Sequence, residues 1–257
     1  MTGTLGKIFA VVPAAGRGTR LGSDLPKLVT PIAEGVTIWT LLSRKLLKIV
    51  EHINIIVSPD GEPLIRTAIA QSNLTDRVSL SLQPEPLGMG DAIFCGFPVW
   101  SRARAILILW GDQVFVSEQT MRAACSLHDG DARTLALPVV PLPEPYVEYV
   151  FADDGPLVSV RQSREGDRCE PNGYADVGTF VLSVAGLQTA WARFLATEAK
   201  GARTREINFL PFLAFLSSSG WNLKRLVVAD PREAHGINTP DDLAYLRSVI
   251  TQNTRTT

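Results

Sequence analysis

Glycines and cations are concentrated in a short stretch that follows the first apolar run of the chain. The stretch reads Pro-Ala-Ala-Gly-Arg-Gly-Thr-Arg-Leu-Gly over residues 13–22, and Leu-Pro-Lys follows at residues 25–27. Glycines let the backbone approach a ligand closely and point successive N–H groups at phosphate oxygens. Arg17, Arg20 and Lys27 add positive charge at the same place. This combination predicts a cradle for the triphosphate of a nucleotide.

Two further stretches have a similar relation to predicted strands. Gln-Pro-Glu-Pro-Leu-Gly-Met-Gly-Asp-Ala, residues 83–92, lies between a predicted strand and the start of a predicted helix. The apolar strand over residues 107–109 leads through Trp110 and Gly111 to Asp112. Ligands of open α/β sheets bind at the carboxyl ends of the strands, so Asp112 is a candidate ligand-binding carboxylate. On its own it is also compatible with an ordinary turn residue.

The elements that must position these stretches alternate along the first half of the chain. The predicted strands are Ile8 to Val12, Ile53 to Val57, Val78 to Gln83 and Ala105 to Leu109. The predicted helices are Trp39 to Glu51, Glu62 to Gln71 and Gly90 to Trp100. Strands that alternate with helices predict an α/β fold with a doubly wound, mainly parallel, Rossmann-like sheet and right-handed crossovers.

The pattern changes at residue 134, where strand-like pieces follow one another. These pieces are Leu135 to Val140, Tyr146 to Phe151, Leu157 to Arg161 and Thr179 to Leu182. They predict a smaller β-rich lobe at about residues 134–185, inserted over one end of the sheet. The chain then returns to the main layer with helices Leu187 to Thr197, Glu206 to Ser217 and Pro240 to Thr251 and with strand Leu223 to Val228.

The length and these elements predict a single domain over residues 1–251. About residues 5–133 and 186–251 are expected to form a nucleotide-binding core, and the lobe at about residues 134–185 is expected to bind a second substrate, the acceptor. Residues 252–257 are polar and are expected to form a frayed tail.

Composition excludes several classes of function. The formal net charge of −1 gives no global field for a polyanion, so nucleic acid is not an expected partner. Three scattered cysteines suit a reducing compartment. No apolar run approaches the roughly 20 residues needed to span a bilayer, and a secretory leader pattern is missing. We therefore expect a cytoplasmic protein without membrane association, and a homo-oligomer stays open.

The stretch from Pro13 to Lys27 resembles the signature of the nucleotidyltransferase family. That family includes N-acetylglucosamine-1-phosphate uridylyltransferase, glucose-1-phosphate thymidylyltransferase and the methylerythritol-phosphate cytidylyltransferase. The resemblance extends from Ile8 to about Leu246 and implies a GT-A-like form of the fold. It also implies transfer of a nucleoside monophosphate from UTP, CTP or dTTP to a sugar 1-phosphate, with Mg²⁺ as cofactor and pyrophosphate as product.

The resemblance assigns roles to individual residues. We hypothesise that Arg17, Arg20 and Lys27 are catalytic and stabilise the departing pyrophosphate. The nucleotide-binding residues implied by the family motifs are Ala14, Ala15, Gly16, Gly18, Thr19, Gln83, Leu87, Gly88 and Met89. Asp112 is similar to the metal-binding aspartate of the family, and Asn238 lies in a Gly-Ile-Asn turn similar to that of uridylyltransferase domains. One carboxylate and one amide oxygen suffice for Mg²⁺, which also takes water and phosphate ligands.

The acceptor side matches the family more loosely. Asp176 replaces the asparagine of an Asn-x-Gly-x-Phe segment, with Gly178 in the glycine position. Arg161 and Gln162 stand where uridylyltransferases have a sugar-binding glutamate after a valine. An arginine there suits an anionic acceptor or binds the acceptor phosphate. Arg161, Gln162, Asp176 and Gly178 are the predicted acceptor-binding residues.

Other activities compete with a sugar-phosphate transferase. The main alternative is a cytidylyltransferase for phosphocholine, a phosphonate or a methylerythritol-like phosphate. The missing His-Asp-Ala-Ala-Arg-Pro stretch after Asp112 counts against the last of these acceptors only. The Leu-Pro-Lys spacing and the Gly-Ile-Asn turn disfavour a molybdenum-cofactor guanylyl- or cytidylyltransferase. A non-catalytic nucleotide-binding regulatory module stays open. The missing Gly-x-Gly-x-x-Gly disfavours a dinucleotide-binding oxidoreductase, and without a hexapeptide repeat we do not expect acetyltransferase activity.

Overall fold

A computed structural model gives the structure of the protein and describes residues 7–16, 21–22, 25–128, 131–153, 155–197 and 200–254. Within these ranges the chain forms a ten-stranded sheet, a separate two-stranded sheet and eight α-helices. None of the helices in the described ranges is long and apolar enough to cross a membrane.

The strands are β1 (Ile8–Pro13), β2 (Pro31–Ala33), β3 (Val36–Thr37), β4 (His52–Val57), β5 (Val78–Leu82), β6 (Ala105–Leu109), β7 (Thr134–Pro141), β8 (Val147–Phe151), β9 (Leu157–Gln162), β10 (Tyr174–Asp176), β11 (Thr179–Ser183) and β12 (Asn222–Val227). The helices are α1 (Ile38–Leu46), α2 (Glu62–Gln71), α3 (Met89–Cys95), α4 (Phe97–Trp100), α5 (Glu118–Leu127), α6 (Leu187–Leu195), α7 (Leu210–Ser218) and α8 (Pro240–Thr254). Short 3-10 helices lie at Lys27–Val29, Ser163–Glu165 and Pro231–Ala234.

The large sheet has the order β5-β4-β1-β6-β11-β7-β10-β8-β9, with β12 paired to β7. Strands β5, β4, β1 and β6 pair in parallel, as does β12 with β7. Strand β11 joins the two halves by antiparallel pairing with both β6 and β7. The predicted α/β fold is confirmed, and the strands of the predicted acceptor lobe extend the central sheet without forming a layer of their own.

Burial on both faces explains why the central strands are continuously apolar. Successive side chains of a strand point to opposite faces. In β1, Ile8, Ala10 and Val12 pack into one hydrophobic cluster, and Phe9 and Val11 pack into another on the opposite face. The helices must therefore cover both faces, which is the doubly wound arrangement.

Several helices differ from the sequence prediction. The predicted helix Gly90 to Trp100 is divided into α3 and α4 at Gly96, and Pro98 lies in the first turn of the second helix, where its missing N–H costs nothing. The predicted helix Glu206 to Ser217 begins only at Leu210, because Ile207 donates its backbone N–H to Leu87 and accepts one from Gly90. Helix α5 was not predicted. Helix α8 continues to Thr254, beyond its predicted end.

Candidate active site

A cleft of about 410 Å³ opens where β1 and β6 end, at the carboxyl edge of the parallel strands. Nine of the predicted site residues line it: Ala14, Ala15, Gly16, Lys27, Gln83, Gly88, Met89, Asp112 and Asn238. The cleft therefore joins the glycine-rich turn, the stretch over residues 83–92 and the predicted metal ligands. Arg17, Gly18, Thr19 and Arg20 lie outside the described residues, and their roles stay predictions.

The side chain of Lys27 connects the two predicted metal ligands. Its Nζ donates to Oδ2 of Asp112 and to Oδ1 of Asn238, with both distances 3.1 Å. The side chains of Lys27 and Asp112 are 20% and 21% exposed, so the contact is largely shielded from solvent but reachable from the cleft. Two oxygens from distant parts of the chain thus converge on one cation.

Backbone and side-chain bonds hold the turn that carries Asn238. The N–H of Ile237 donates to the carbonyl of Asp112 at 3.0 Å, which ties the two ligand-bearing loops together. Oδ2 of Asp242 accepts from the N–H groups of Asn238 and Thr239 at 2.8 and 2.7 Å. Burial raises the pKa of the Asp242 carboxyl, but these hydrogen bonds outweigh it and leave the pKa below its usual value. His235 is paired with the same carboxylate at 2.9 Å.

A second group of buried polar contacts fixes the loop after Asp112. Nζ of Lys45 donates to the carbonyls of Val114 and Val116 at 2.6 and 2.9 Å. Glu233, which is buried, accepts from the N–H of Ser117 at 3.0 Å. Burial lowers the pKa of Lys45, and the nearby charge of Glu233 opposes this effect. Lys45 and Glu233 therefore brace the same loop from two different elements.

Internal hydrogen bonds hold the loop from Gln83 to Gly88, which carries predicted nucleotide-binding residues. Nε2 of Gln83 donates to the carbonyl of Gly88 at 3.0 Å and to Oδ2 of Asp91 at 2.8 Å. Gly88 has a φ of +125°, and a Cβ there would lie 2.6 Å from the backbone nitrogen of Ile207. Only glycine fits this position, because both the backbone angle and the close approach exclude a side chain. Leu87, a further predicted nucleotide contact, is exposed and does not line the cleft.

The predicted acceptor residues do not line the cleft either. Nη1 of Arg161 is paired with Oε2 of Glu148 at 3.1 Å, and Gln162 is buried. Asp176 accepts from the Tyr149 hydroxyl at 3.0 Å and from the N–H of Gly178 at 2.7 Å. Burial raises the pKa of Asp176, and these two hydrogen bonds oppose the rise. The structure does not bring these four residues to the cleft, and their roles in acceptor binding stay predictions.

Among the other residues that line the cleft, three have an aromatic or charged side chain and were not predicted as site residues, namely Trp110, Arg164 and Glu206. Trp110 directly precedes Gly111 and Asp112, and this position in the sequence could have identified it as a cleft residue. Arg164 reaches the cleft because a 3-10 helix at Ser163–Glu165 follows β9. No pattern in the sequence distinguishes it from the neighbouring arginines.

The comparison that decides the family concerns the first two thirds of the chain. A sequence model of the family described as MobA-like NTP transferase domain matches residues 10–170. The chain belongs to this family. The predicted nucleotidyltransferase family and enzyme class are thereby confirmed for this NTP transferase.

Curated relatives of this NTP transferase carry the name bifunctional protein GlmU. Those of Acidithiobacillus ferrooxidans and Halorhodospira halophila are each 28% identical, over 93% and 94% of the chain. That of Heliobacterium modesticaldum is 26% identical over 97% of the chain. The alignments cover 51%, 48% and 53% of these relatives, so the chain spans about half of their length.

A solved structure supports the fold of this NTP transferase. A protein from Bacillus anthracis, described as a glucose-1-phosphate thymidylyltransferase and crystallised in complex with a sucrose, superposes with a TM-score of 0.73. The alignment covers 94% of each chain at 13% identity, which shows that the two share a fold.

Proposed function

We propose that the protein transfers a nucleoside monophosphate from UTP, CTP or dTTP to a sugar 1-phosphate and releases pyrophosphate, with Mg²⁺ as cofactor. The observation that carries this proposal is the convergence of Lys27, Asp112 and Asn238 in one cleft with the glycine-rich turn and the Gln83 loop. The family supports the transferase chemistry. The structural neighbour, described by its action on glucose 1-phosphate, supports the acceptor class.

The donor atoms present fit a magnesium ion. Oδ2 of Asp112 and Oδ1 of Asn238 share one ammonium in this structure, so they are already placed around a single cation. Carboxylate and amide oxygens are the hard ligands that Mg²⁺ prefers, with the remaining positions taken by water and phosphates. Asp112 and Asn238 would hold the ion, which when bound neutralises charge on phosphate oxygens.

The reaction needs no nucleophile from the protein. A phosphate oxygen of the acceptor is already ionised at neutral pH and forms a new bond to the α-phosphorus of the NTP. The bond from that phosphorus to the bridging oxygen breaks, and pyrophosphate leaves with the electron pair. Catalysis then consists of alignment and charge neutralisation. Lys27 supplies one positive charge in the cleft, and Arg17 and Arg20 are proposed to supply more for the leaving pyrophosphate.

A panel of nucleotides and acceptors tests this proposal. Each NTP is incubated with Mg²⁺ and one of several sugar 1-phosphates or phosphocholine, and pyrophosphate is measured. We expect release that depends on a sugar 1-phosphate. Asp112→Asn should lower the rate by about a hundredfold or more, as for the loss of other preorganised charges, whereas Asp60→Asn, at an exposed turn, should not.

Three outcomes would contradict the proposal. Absence of pyrophosphate with every pair would support the non-catalytic module. A requirement for phosphocholine in place of a sugar 1-phosphate would replace the proposed acceptor by the alternative one. Full activity of Asp112→Asn would remove this carboxylate from the mechanism.

A further inference from the structure

An ion pair with no assigned role forms one wall of the cleft. Nη2 of Arg164 donates to Oε2 of Glu206, and both side chains line the cleft beside Trp110. The same Nη2 donates to Oδ1 of Asn208 at 3.0 Å, and Nε lies 3.4 Å from Oε1 of Glu165. The guanidinium is therefore held in one orientation from three sides.

Buried groups behind this pair keep it in place. Glu165 is 9% exposed and accepts from the Thr204 hydroxyl at 2.6 Å and from Nδ2 of Asn208 at 3.0 Å. It also accepts from the backbone N–H groups of Arg203 and Thr204. Burial raises the pKa of Glu165, but these hydrogen bonds outweigh it and lower the pKa to about 2, so the carboxylate stays charged. Arg164 thus rests on a rigid, ionised support.

The pair retains one donor group and one acceptor atom for a ligand. Among the described residues, Nη1 of Arg164 and Oε1 of Glu206 have no hydrogen-bond partner, because the bonds above use the other atoms. A hydroxyl group both donates and accepts, so an adjacent N–H donor and carboxylate oxygen can satisfy it completely. The opposite charges of the pair offset each other, so this wall offers no net attraction to a second anionic group.

The pair also lies beside the predicted nucleotide-binding loop from Gln83 to Gly88. Ile207, the residue after Glu206, donates its N–H to the carbonyl of Leu87 at 2.7 Å and accepts from Gly90 at 2.9 Å. In the proposed reaction, two substrate parts carry hydroxyls that could occupy this position: the acceptor sugar and the nucleotide ribose. The shared chemistry is an uncharged polyhydroxy ring.

We propose that Arg164 and Glu206 form a hydroxyl-binding subsite that selects an uncharged polyhydroxy acceptor over an anionic one. This inference rests on the proposed function, since it concerns the acceptor of the same cleft. It differs from the expectation that Arg161 suits an anionic acceptor. Arg161 is paired with Glu148 and does not line the cleft. The arginine that does line the cleft is Arg164, and the carboxylate of Glu206 offsets its charge.

Calorimetric titration with two sugar phosphates tests the subsite. The probes are glucose 1-phosphate and glucuronic acid 1-phosphate, which differ in one carboxylate. We expect the wild-type protein to bind glucose 1-phosphate more tightly, and Glu206→Gln to lower that preference by at least about tenfold, as expected for a hydrogen bond to a charged group. The matched control is Glu170→Gln, which removes the same charge from a side chain that is 55% exposed and outside the cleft lining.

A second arm separates the two sources of hydroxyls. UTP and 2′-deoxy-UTP are titrated with Mg²⁺ against the same variants. If Glu206→Gln changes only the ratio of these two affinities, the pair binds the ribose, and selection of the acceptor is overturned. An unchanged preference between the sugar phosphates in Glu206→Gln, or an equal loss in Glu170→Gln, also overturns the subsite.

The measurements distinguish failure of the proposed function from failure of the subsite. A protein that keeps the glucose 1-phosphate preference but releases no pyrophosphate from any NTP contradicts the proposed function and supports the subsite. A protein that binds UTP but neither sugar phosphate overturns the subsite and the sugar 1-phosphate acceptor together.

Discussion

The ammonium of Lys27 lies 3.1 Å from the carboxylate of Asp112, although 85 residues separate the two along the chain. Asn238 joins the same ammonium from a position 211 residues away. Three distant segments thus meet at one cation, at the edge of the sheet where ligands bind in α/β folds. A divalent ion that uses Asp112 and Asn238 must compete with Lys27 for these oxygens.

Replacement of Lys27 by methionine should change metal binding and turnover in opposite directions. Without the ammonium, Asp112 and Asn238 lose their cation, so Mn²⁺ alone should bind more tightly than it does to the wild type. Turnover should fall by about a hundredfold, because the proposed role of this charge is to stabilise the leaving pyrophosphate. Electron paramagnetic resonance of free Mn²⁺ and a pyrophosphate assay measure the two effects.

Lys7→Met is the matched control for Lys27→Met, because the Lys7 side chain is exposed. Its Nζ lies 3.8 Å from Oε2 of Glu51, which is also exposed. It should change neither Mn²⁺ binding nor turnover. Weaker Mn²⁺ binding in Lys27→Met than in the wild type would show that Lys27 does not compete with the ion.

Physical reasoning from the sequence predicted the central strands and the position of Asp112 at a strand end, whereas the pairing of Asn238 with Asp112 was implied by the family resemblance. A run such as Ile8 to Val12 must be buried on both faces, and strand ends at one edge of a parallel sheet bring distant loops together. The position of β11 between β6 and β7 could not be predicted from the sequence, because it depends on contacts between distant segments. Helix α5 was missed because its buried face is formed by Thr120, Met121, Ala124 and Cys125, a weak apolar pattern.

Substitution of Gly88 by alanine should destabilise the protein. Its φ of +125° is strained for other residues, and the added Cβ would meet the backbone of Ile207 at 2.6 and 2.7 Å. We expect a loss of about 2 kcal/mol or more in the free energy of unfolding, measured in urea. Gly35→Ala, at a φ of +66° with no atom within 4 Å, should lose only about 1 kcal/mol. Equal losses in the two variants would refute the steric explanation.

Replacement of Glu233 by glutamine should loosen the two loops that carry the predicted metal ligands. Glu233 accepts from the N–H of Ser117 and the hydroxyl of Thr120, both at 3.0 Å. We expect faster hydrogen exchange at the Ile237 amide, which donates to Asp112, and a decrease in turnover of about tenfold, as for other residues that orient metal ligands.

Glu118→Gln is the control for Glu233→Gln, because Glu118 pairs with Lys48 at the surface. It should leave the Ile237 amide protected. If Glu233→Gln instead speeds exchange equally throughout the central strands, the residue supports global stability and does not position the loops.

Stability should fall at acidic pH through Glu165. Its pKa is about 2 in the folded protein and about 4.5 in an unfolded chain, so the unfolded state takes up the proton first as the pH falls. The contribution is complete above about pH 4.5 and is lost progressively toward pH 2. Urea unfolding over this range should show a smaller pH dependence for Glu165→Gln than for the wild type. Identical slopes would mean that the carboxyl is not held as described.

The acceptor side shows where sequence reasoning reached its limit. Arg161 and Arg164 are both in a stretch that was expected to face the acceptor. Only the backbone conformation at each position determines which of the two reaches the cleft. Arg161 lies on β9 opposite Glu148, whereas Arg164 lies in the following 3-10 turn and reaches the cleft. Such a turn depends on tertiary contacts, here those of Glu165 with Thr204 and Asn208, and a local pattern does not report it.

Phosphorus NMR of one reaction mixture tests the central claim most directly. The mixture contains the protein, Mg²⁺, UTP, CTP, dTTP and glucose 1-phosphate. Nucleotidyl transfer at this cleft predicts two coupled resonances of a new diphosphate bridge, with pyrophosphate formed in equal amount and neither product formed by Asp112→Asn. Orthophosphate as the sole product would contradict the account. An unchanged spectrum from folded protein, also after other sugar 1-phosphates replace glucose 1-phosphate in turn, would contradict it as well.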